Sequence, residues 1–240
     1  MSAMKNFNLK NTLPLWGLLV LLMVFSCSEK EDPNVEQEEK SEIVRDIDGN
    51  EYYVVKVNGV RWLESNLYTS RFQDGSSIPL VEDNESWSNL SGPGYSWFEN
   101  TQQISLKGKL YNWEVVNCCK ICPAGFRIPT DEDFDKVISA LGRDVLSNFN
   151  PNVDLIFEPF FPPFINYGSI GSGMRRPNGE FDKVFGDPSW FTGFWTKNEI
   201  DENRAIFYEA VKPNGRVIET TLFRTEGNKK SGFSIKCVEE

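Results

Sequence analysis

Apolar residues are spread unevenly along the chain. Leu13 to Phe25 is almost unbroken apolar sequence behind a short positive stretch carrying Lys5 and Lys10. As a helix it would span about 20 Å at 1.5 Å per residue, short of the ~30 Å hydrocarbon core of a bilayer. It therefore reads as the apolar region of a signal peptide rather than a membrane span. Ser28 to Glu42 is the opposite, with seven acids, two lysines and one isolated Val35. Such a segment buries too little apolar surface to offset its ordering entropy, so a solvated acidic tether is expected.

From Ile43 the pattern becomes that of a folded domain. Tyr52 to Val57 is β-branched and aromatic, with Asp48-Gly49-Asn50 before it and Asn58-Gly59 after it, and Val60 to Leu67 reads as a second strand. The span 43 to 67 is therefore predicted to hold a β-hairpin. One helix stands out. Thr130 is placed as N-cap, Asp131, Glu132 and Asp133 favour the first turn, and Asp133 can play the carboxylate part of a capping box. Phe134, Val137, Ile138 and Leu141 follow at helical spacing, and Gly142 sits where a C-terminal cap belongs. A shorter helix is expected around Leu110 to Val116. Asn148 to Gly173 is irregular and rich in Pro and Phe. Two further strands are expected at Ile206 to Val211 and Val217 to Phe223, joined by Pro213-Asn214-Gly215, and a last one at Phe233 to Val238. The sum is an α+β domain with few helices, many short antiparallel strands and long loops.

Charge and composition narrow the chemistry. Lys plus Arg number 25 against 35 Asp plus Glu, a formal net charge of -10, which argues against nucleic acid as a partner. The chain has no histidine, which excludes Ser-His-Asp and Cys-His catalysis and every His-ligated metal site. The run from Asp46 fails as an EF-hand, because its sixth and twelfth positions hold Glu51 and Val57. Cys118, Cys119, Cys122 and Cys237 lie beyond Cys27. In an oxidising compartment they imply disulfides, with three complete pairings open. Three cysteines together and one apart suit a four-cysteine zinc site poorly.

Two resemblances add an address and a family. Val24-Phe25-Ser26-Cys27 resembles a bacterial lipobox, which implies cleavage after residue 26 and a lipid anchor on Cys27. The acidic run behind it is similar to the export signal of Bacteroidetes surface lipoproteins, which implies an outer-membrane, cell-surface location. The motif order runs from Asp46-Ile-Asp-Gly-Asn through Val60-Arg-Trp62 to Asn66-Leu67. It continues with Asp83-Asn84, Trp87 and Asn89-Leu90, then Leu110-Tyr111-Asn112-Trp113 and Cys122-Pro-Ala-Gly125 to Pro129-Thr130-Asp131. It closes with Gly193-Phe-Trp195-Thr and Lys230-Ser-Gly232-Phe233 to Cys237-Val238. This succession resembles the Fibrobacter succinogenes major paralogous domain, a family of bacterial surface and secreted lipoproteins. The helix start and the closing Gly-Phe are also similar to formylglycine-generating enzymes.

That likeness implies a C-type-lectin-like fold over 43–240, after a signal peptide at 1–26 and a lipidated Cys and tether at 27–42. Cys122 and Cys237 each lie inside a family motif, and their pairing as a disulfide is expected, with Cys118 and Cys119 unassigned. The enzyme's cysteine pair with copper is missing from the last third, and Lys212-Pro213-Asn214 lacks the acid or amide that opens a lectin calcium motif. No catalytic residue, cofactor or metal is therefore expected. Trp62, Trp113 and Trp195 fall in motifs and are assigned to packing. Trp190, Phe191, Phe160 and Phe161, in or beside the divergent segments, are expected to form an exposed stacking platform. The implied function is a non-catalytic surface module for a glycan or a protein, anchored by outer-membrane lipid. The alternative is a structural or adhesin-type component of a surface assembly.

Overall fold

The computed structural model describes residues 42–102, 108–140, 171–182, 191–211 and 221–240. All lie in the compact unit Lys40–Glu240. The chain opens with β1 (Ile43–Arg45), β2 (Glu51–Val57) and β3 (Val60–Leu63), joined as antiparallel neighbours. The β2–β3 turn is Asn58-Gly59, both with positive φ (47° and 82°), the backbone that a two-residue hairpin of matching twist requires. A short helix, α1 (Asn84–Ser88), follows, capped by Asp83, whose carboxylate accepts from the Ser86 N–H at 2.7 Å. Next come β4 (Tyr95–Ser96), a single 3-10 turn at Phe98–Asn100, and β5 (Leu110–Tyr111), which pairs with β4.

Then come α2 (Trp113–Cys118), β6 (Phe126–Arg127) and α3 (Asp131–Ala140). The α3 start is built as its sequence predicts. Asp133 accepts from the Thr130 N–H at 2.8 Å, lies 3.1 Å from the Thr130 hydroxyl and pairs with Arg127. Phe134, Val137 and Ile138 are buried, whereas Leu141 and Gly142 lie outside the described residues.

The remaining elements are β7 (Met174–Arg175), β8 (Phe181–Asp182), β9 (Phe191–Glu199), β10 (Arg204–Val211), β11 (Thr221–Asn228) and β12 (Val238–Glu239). Among the described residues one sheet has the order β1-β2-β3-β12-β6 and a second β11-β10-β9. β12 therefore closes the chain between β3 and β6, with Val238 opposite both Trp62 and Arg127. The architecture is α+β, mostly antiparallel strands with three helices among the described residues.

Two aromatic clusters form the core. In one, Phe233 stacks on Phe207 at 4.1 Å and meets Trp195 edge-on at 4.8 Å. A Cβ on Gly193 would lie 2.3 Å from the Phe233 ring, so that β9 position is closed to any side chain. In the other, Phe134 stacks on Tyr208 at 4.2 Å and tilts against Trp62 at 5.5 Å, which fastens α3 to both sheets. Trp62, Trp113 and Trp195 are all core residues. Cys122 and Cys237 are joined as a disulfide with Cα atoms 5.9 Å apart. The sequence separation is 115, for which the chain-entropy model gives about 4–5 kcal/mol.

Candidate functional site

A cleft of about 420 Å³ opens where the β2 approach, the segment after β3 and the β4–β5 pair converge. It is lined by Asp48, Asn50, Tyr68, Ser70, Tyr95, Trp97, Gln102 and Lys109. Its floor begins with the Asp46 turn. The Asp46 carboxylate takes the Asp48 N–H at 2.9 Å, the Asn50 N–H at 3.0 Å, the Asn50 amide at 2.8 Å and the Tyr52 hydroxyl at 2.7 Å. The carboxylate that invites a calcium reading thus spends its lone pairs on its own turn, and by doing so it presents Asp48 and Asn50.

The segment 66–71 makes one wall, and it is held on several sides. The Leu67 N–H donates to the Ile235 carbonyl at 2.8 Å, the Tyr68 N–H to the Tyr52 hydroxyl at 3.2 Å, and the Tyr111 hydroxyl to the Thr69 carbonyl at 2.8 Å. Asp48 binds the same wall, accepting from the Ser70 N–H and from Arg71 Nε, with the Thr69 hydroxyl 3.0 Å away. Partial burial alone would raise the Asp48 pKa. The Ser70, Arg71 and Thr69 donors outweigh it and hold the carboxyl below its ordinary value.

Lys109 fills the centre. Gly108 takes φ 80°, and a Cβ there would lie 2.6 Å from Asn66 Cβ and 2.9 Å from the Leu67 carbonyl oxygen. Only glycine lets the chain pass that close, and the next residue is thereby set against the wall. The Lys109 ammonium donates to Ser70 Oγ at 2.6 Å and sits 4.1 Å from the Tyr95 ring centre and 5.1 Å from that of Trp97. The residue is only 3% exposed. Burial pushes its pKa down to about 8, against the pull of Asp48 and Asp46. The cleft therefore offers a mostly polar lining of bound carboxylate, amide and hydroxyl groups and one desolvated cation, backed by the largely buried Tyr95 and Trp97 rings.

The residues singled out from sequence fare differently. Phe191 is buried at 3% exposure, 6.5 Å from the Phe233 ring in the core, so its expected place on an exposed platform is corrected. β9 is buried on both faces from Phe191 to Thr196, which leaves that ring no solvent side. Trp190, Phe160, Phe161 and Cys27 lie outside the described residues. Cys118 and Cys119 are free, and although the Cys118 residue is exposed overall, partial desolvation of its thiol together with the neighbouring Cys119 pushes it up to about 12, far from a reactive thiolate. A second cavity of about 410 Å³ flanks the disulfide, where Ile121, Phe126 and Ile128 stand with Lys120, Arg127, Thr130, Lys197 and Glu240. Sequence reasoning missed Lys109. A single Lys beside an apolar strand reads as surface, and only its neighbour Gly108 hinted at a close backbone approach.

The class defined by this fold and cleft is an α+β domain of short antiparallel strands with a preorganised, aromatic-lined polar pocket. Residues 55–150 match the family described as Fibrobacter succinogenes major domain. The Val60, Asp83, Leu110 and Cys122 motifs fall inside the match, and the Asp46, Gly193 and Lys230 motifs outside it. No curated protein and no solved structure matches the chain.

Proposed function

We propose that this protein is a surface lipoprotein, anchored to the outer membrane through Cys27, whose C-type-lectin-like domain binds a glycan in the Lys109 cleft without turning it over. The observation that carries this reading is the cleft lining, where Tyr68, Tyr95 and Trp97 stand beside Asp48, Asn50, Ser70, Gln102 and Lys109. Sugars present apolar ring faces edged by hydroxyls, and their sites combine aromatic surface with a few placed polar groups. The rigid backing of 66–71 favours binding by a formed site rather than by a closing loop. The same lining supports the absence of turnover. Glycoside hydrolysis uses two carboxyl groups, one of them protonated. The described lining holds one, Asp48, ionised and engaged by its own chain. The lipid anchor rests on the lipobox-like Val24 to Cys27 and the acidic run behind it.

The test is retention of fluorescent glycans by cells carrying the full chain. Wild-type cells are expected to retain a subset of a glycan panel. Tyr68→Ala cells should keep the folded protein, somewhat less stable for the lost Tyr52–Tyr68 ring contact, and lose the probe. Cys27→Ala should move both protein and binding out of the membrane fraction. A Tyr68→Ala protein that retains the probe, a wild type that retains none, or a Cys27→Ala protein that stays with the membrane would each count against the corresponding part.

A further inference from the structure

The four cysteines of the folded domain fall into two pairs of opposite character. Cys122 and Cys237 are joined, and both are buried, at 2% and 0% exposure. Cys118 and Cys119 are free thiols. Cys118 ends α2, and Cys119 follows as its C-cap with an extended backbone, φ -148° and ψ 168°. In a continuous strand successive side chains point to opposite faces, but this pair straddles the end of a helix. The two sulfurs meet, the Cys118 S–H donating to Cys119. Just beyond them the chain is pinned, with the Gln73 N–H donating to the Lys120 carbonyl at 2.8 Å and the Gln73 amide to the Cys122 carbonyl. Cys118 is exposed, and Cys119 is half-buried in the wall of the second cavity, beside Cys122.

Three bonds compete for these sulfurs under oxidation. A link to Cys122 or Cys237 requires attack on a disulfide whose two residues are both buried. A link between two chains depends on a dilute partner, whereas a sulfur already in contact offers an effective concentration of millimolar or more. The bond within the pair is therefore favoured. Adjacent Cα atoms lie about 3.8 Å apart, below the range of about 4.4–6.8 Å that cystines usually span. Such a bond is strained, and strained or exposed disulfides are the readily reduced ones.

We propose that Cys118 and Cys119 form a reversible redox site, closing to a vicinal disulfide that opens and reforms while Cys122–Cys237 stays intact. The oxidant is a small-molecule or protein disulfide. The thiolate of one cysteine attacks it, forms a mixed disulfide and expels one thiolate of the oxidant. The second cysteine then displaces the other. The protein gives up two electrons and two protons, and the oxidant becomes two thiols. The raised Cys118 thiol slows the attack, because the thiolate is the nucleophile, so closure should quicken as the pH rises. The site goes beyond the glycan reading and needs from it only that the exported chain meets an oxidising compartment.

The experiment supplies the oxidant directly. The full chain, purified in detergent and freed of reductant, is incubated with oxidised glutathione, quenched with N-ethylmaleimide and digested with trypsin without reduction. Cleavage after Lys109 and Lys120 places Cys118 and Cys119 together on the peptide 110–120, apart from Cys122. That peptide is expected to carry no maleimide and no glutathione, to be two hydrogens lighter than its dithiol form, and to have no partner peptide. Reduced glutathione should then restore the dithiol while Cys122–Cys237 remains. In Cys118→Ser the peptide should instead carry one glutathione, on Cys119. A wild-type peptide that stays a dithiol, that retains glutathione, or that is linked to a Cys122 or Cys237 peptide or to a second chain would overturn the proposal. So would a closed pair that resists reduced glutathione as long as Cys122–Cys237 does. Each of these outcomes leaves the glycan reading standing, because no saccharide enters the measurement.

Discussion

Lys236 shows how this domain uses charge inside its core. It is fully buried, and burial pushes its pKa down to about 7 from an ordinary 10.5, against the opposing pull of Glu64. Between those two values the unfolded chain binds a proton that the folded chain has released, so this residue makes stability rise with pH across that window. Lys109 adds a similar rise from about 8 upward. Cys118 acts in the opposite sense only above its ordinary 9, because its folded pKa is raised. Unfolding measured between pH 7 and 8.5 should therefore show stability rising with pH in the wild type and a flatter slope in Lys236→Met. An unchanged slope would contradict the assignment. Much at this scale was legible in the sequence. Trp62, Trp113 and Trp195 fill the core because motif tryptophans in short strands have nowhere else to put so much apolar area. Phe191 was misread because it stands beside a divergent segment. Phe191, Phe194 and Trp195 occupy both parities of one strand, and that pattern marks a strand covered on both faces.

Elements were legible where local chemistry and packing agree. α3 combines an N-cap, a capping carboxylate and an apolar stripe, and its described start and stripe follow that reading. The stretch expected as one helix from Leu110 to Val116 is instead β5 followed by α2. Leu110 and Tyr111 pair with Ser96 and Tyr95, a partner some fifteen residues away that no local pattern reveals. Of the strand expected at Val217 to Phe223, Thr221 to Phe223 is strand and 217–220 lie outside the described residues, while β11 runs on to Asn228 in a register set across the sheet by pairs such as Arg204↔Asn228. The strand expected at Phe233 to Val238 forms a ladder only from Val238, while Phe233 and Ser234 make single bridges to Tyr111 and Phe194. The α3 start yields a prediction of its own. Asp133 is buried, and despite the burial that would raise it, Arg127 and Thr130 hold its carboxyl below the ordinary value. Asp133→Ala should cost about 2 kcal/mol in urea unfolding, through the lost cap and the unpaired Arg127. A loss below about 0.5 kcal/mol would mean that α3 is held by its apolar stripe alone.

On the scale of the whole molecule, β12 and the Cys122–Cys237 disulfide close the chain's end onto the strands that begin the domain. That closure brings Ile235 under Leu67 and so supports the wall carrying Ser70, the hydrogen-bond acceptor of Lys109. The cleft is assembled from segments far apart in the chain, which is why the motifs were visible in the sequence and the site was not. The expected platform drew on residues near one another in sequence. The described cleft draws on Asp48, Tyr68, Trp97 and Lys109. Amide hydrogen exchange of the full chain, with and without a saturating amount of a glycan that it retains, tests this placement most directly. Ligand-dependent protection should concentrate at 66–71, 95–98 and 108–110. Protection confined to the segments carrying Phe160, Phe161 and Trp190, with none at Tyr68 to Ser70, would contradict it.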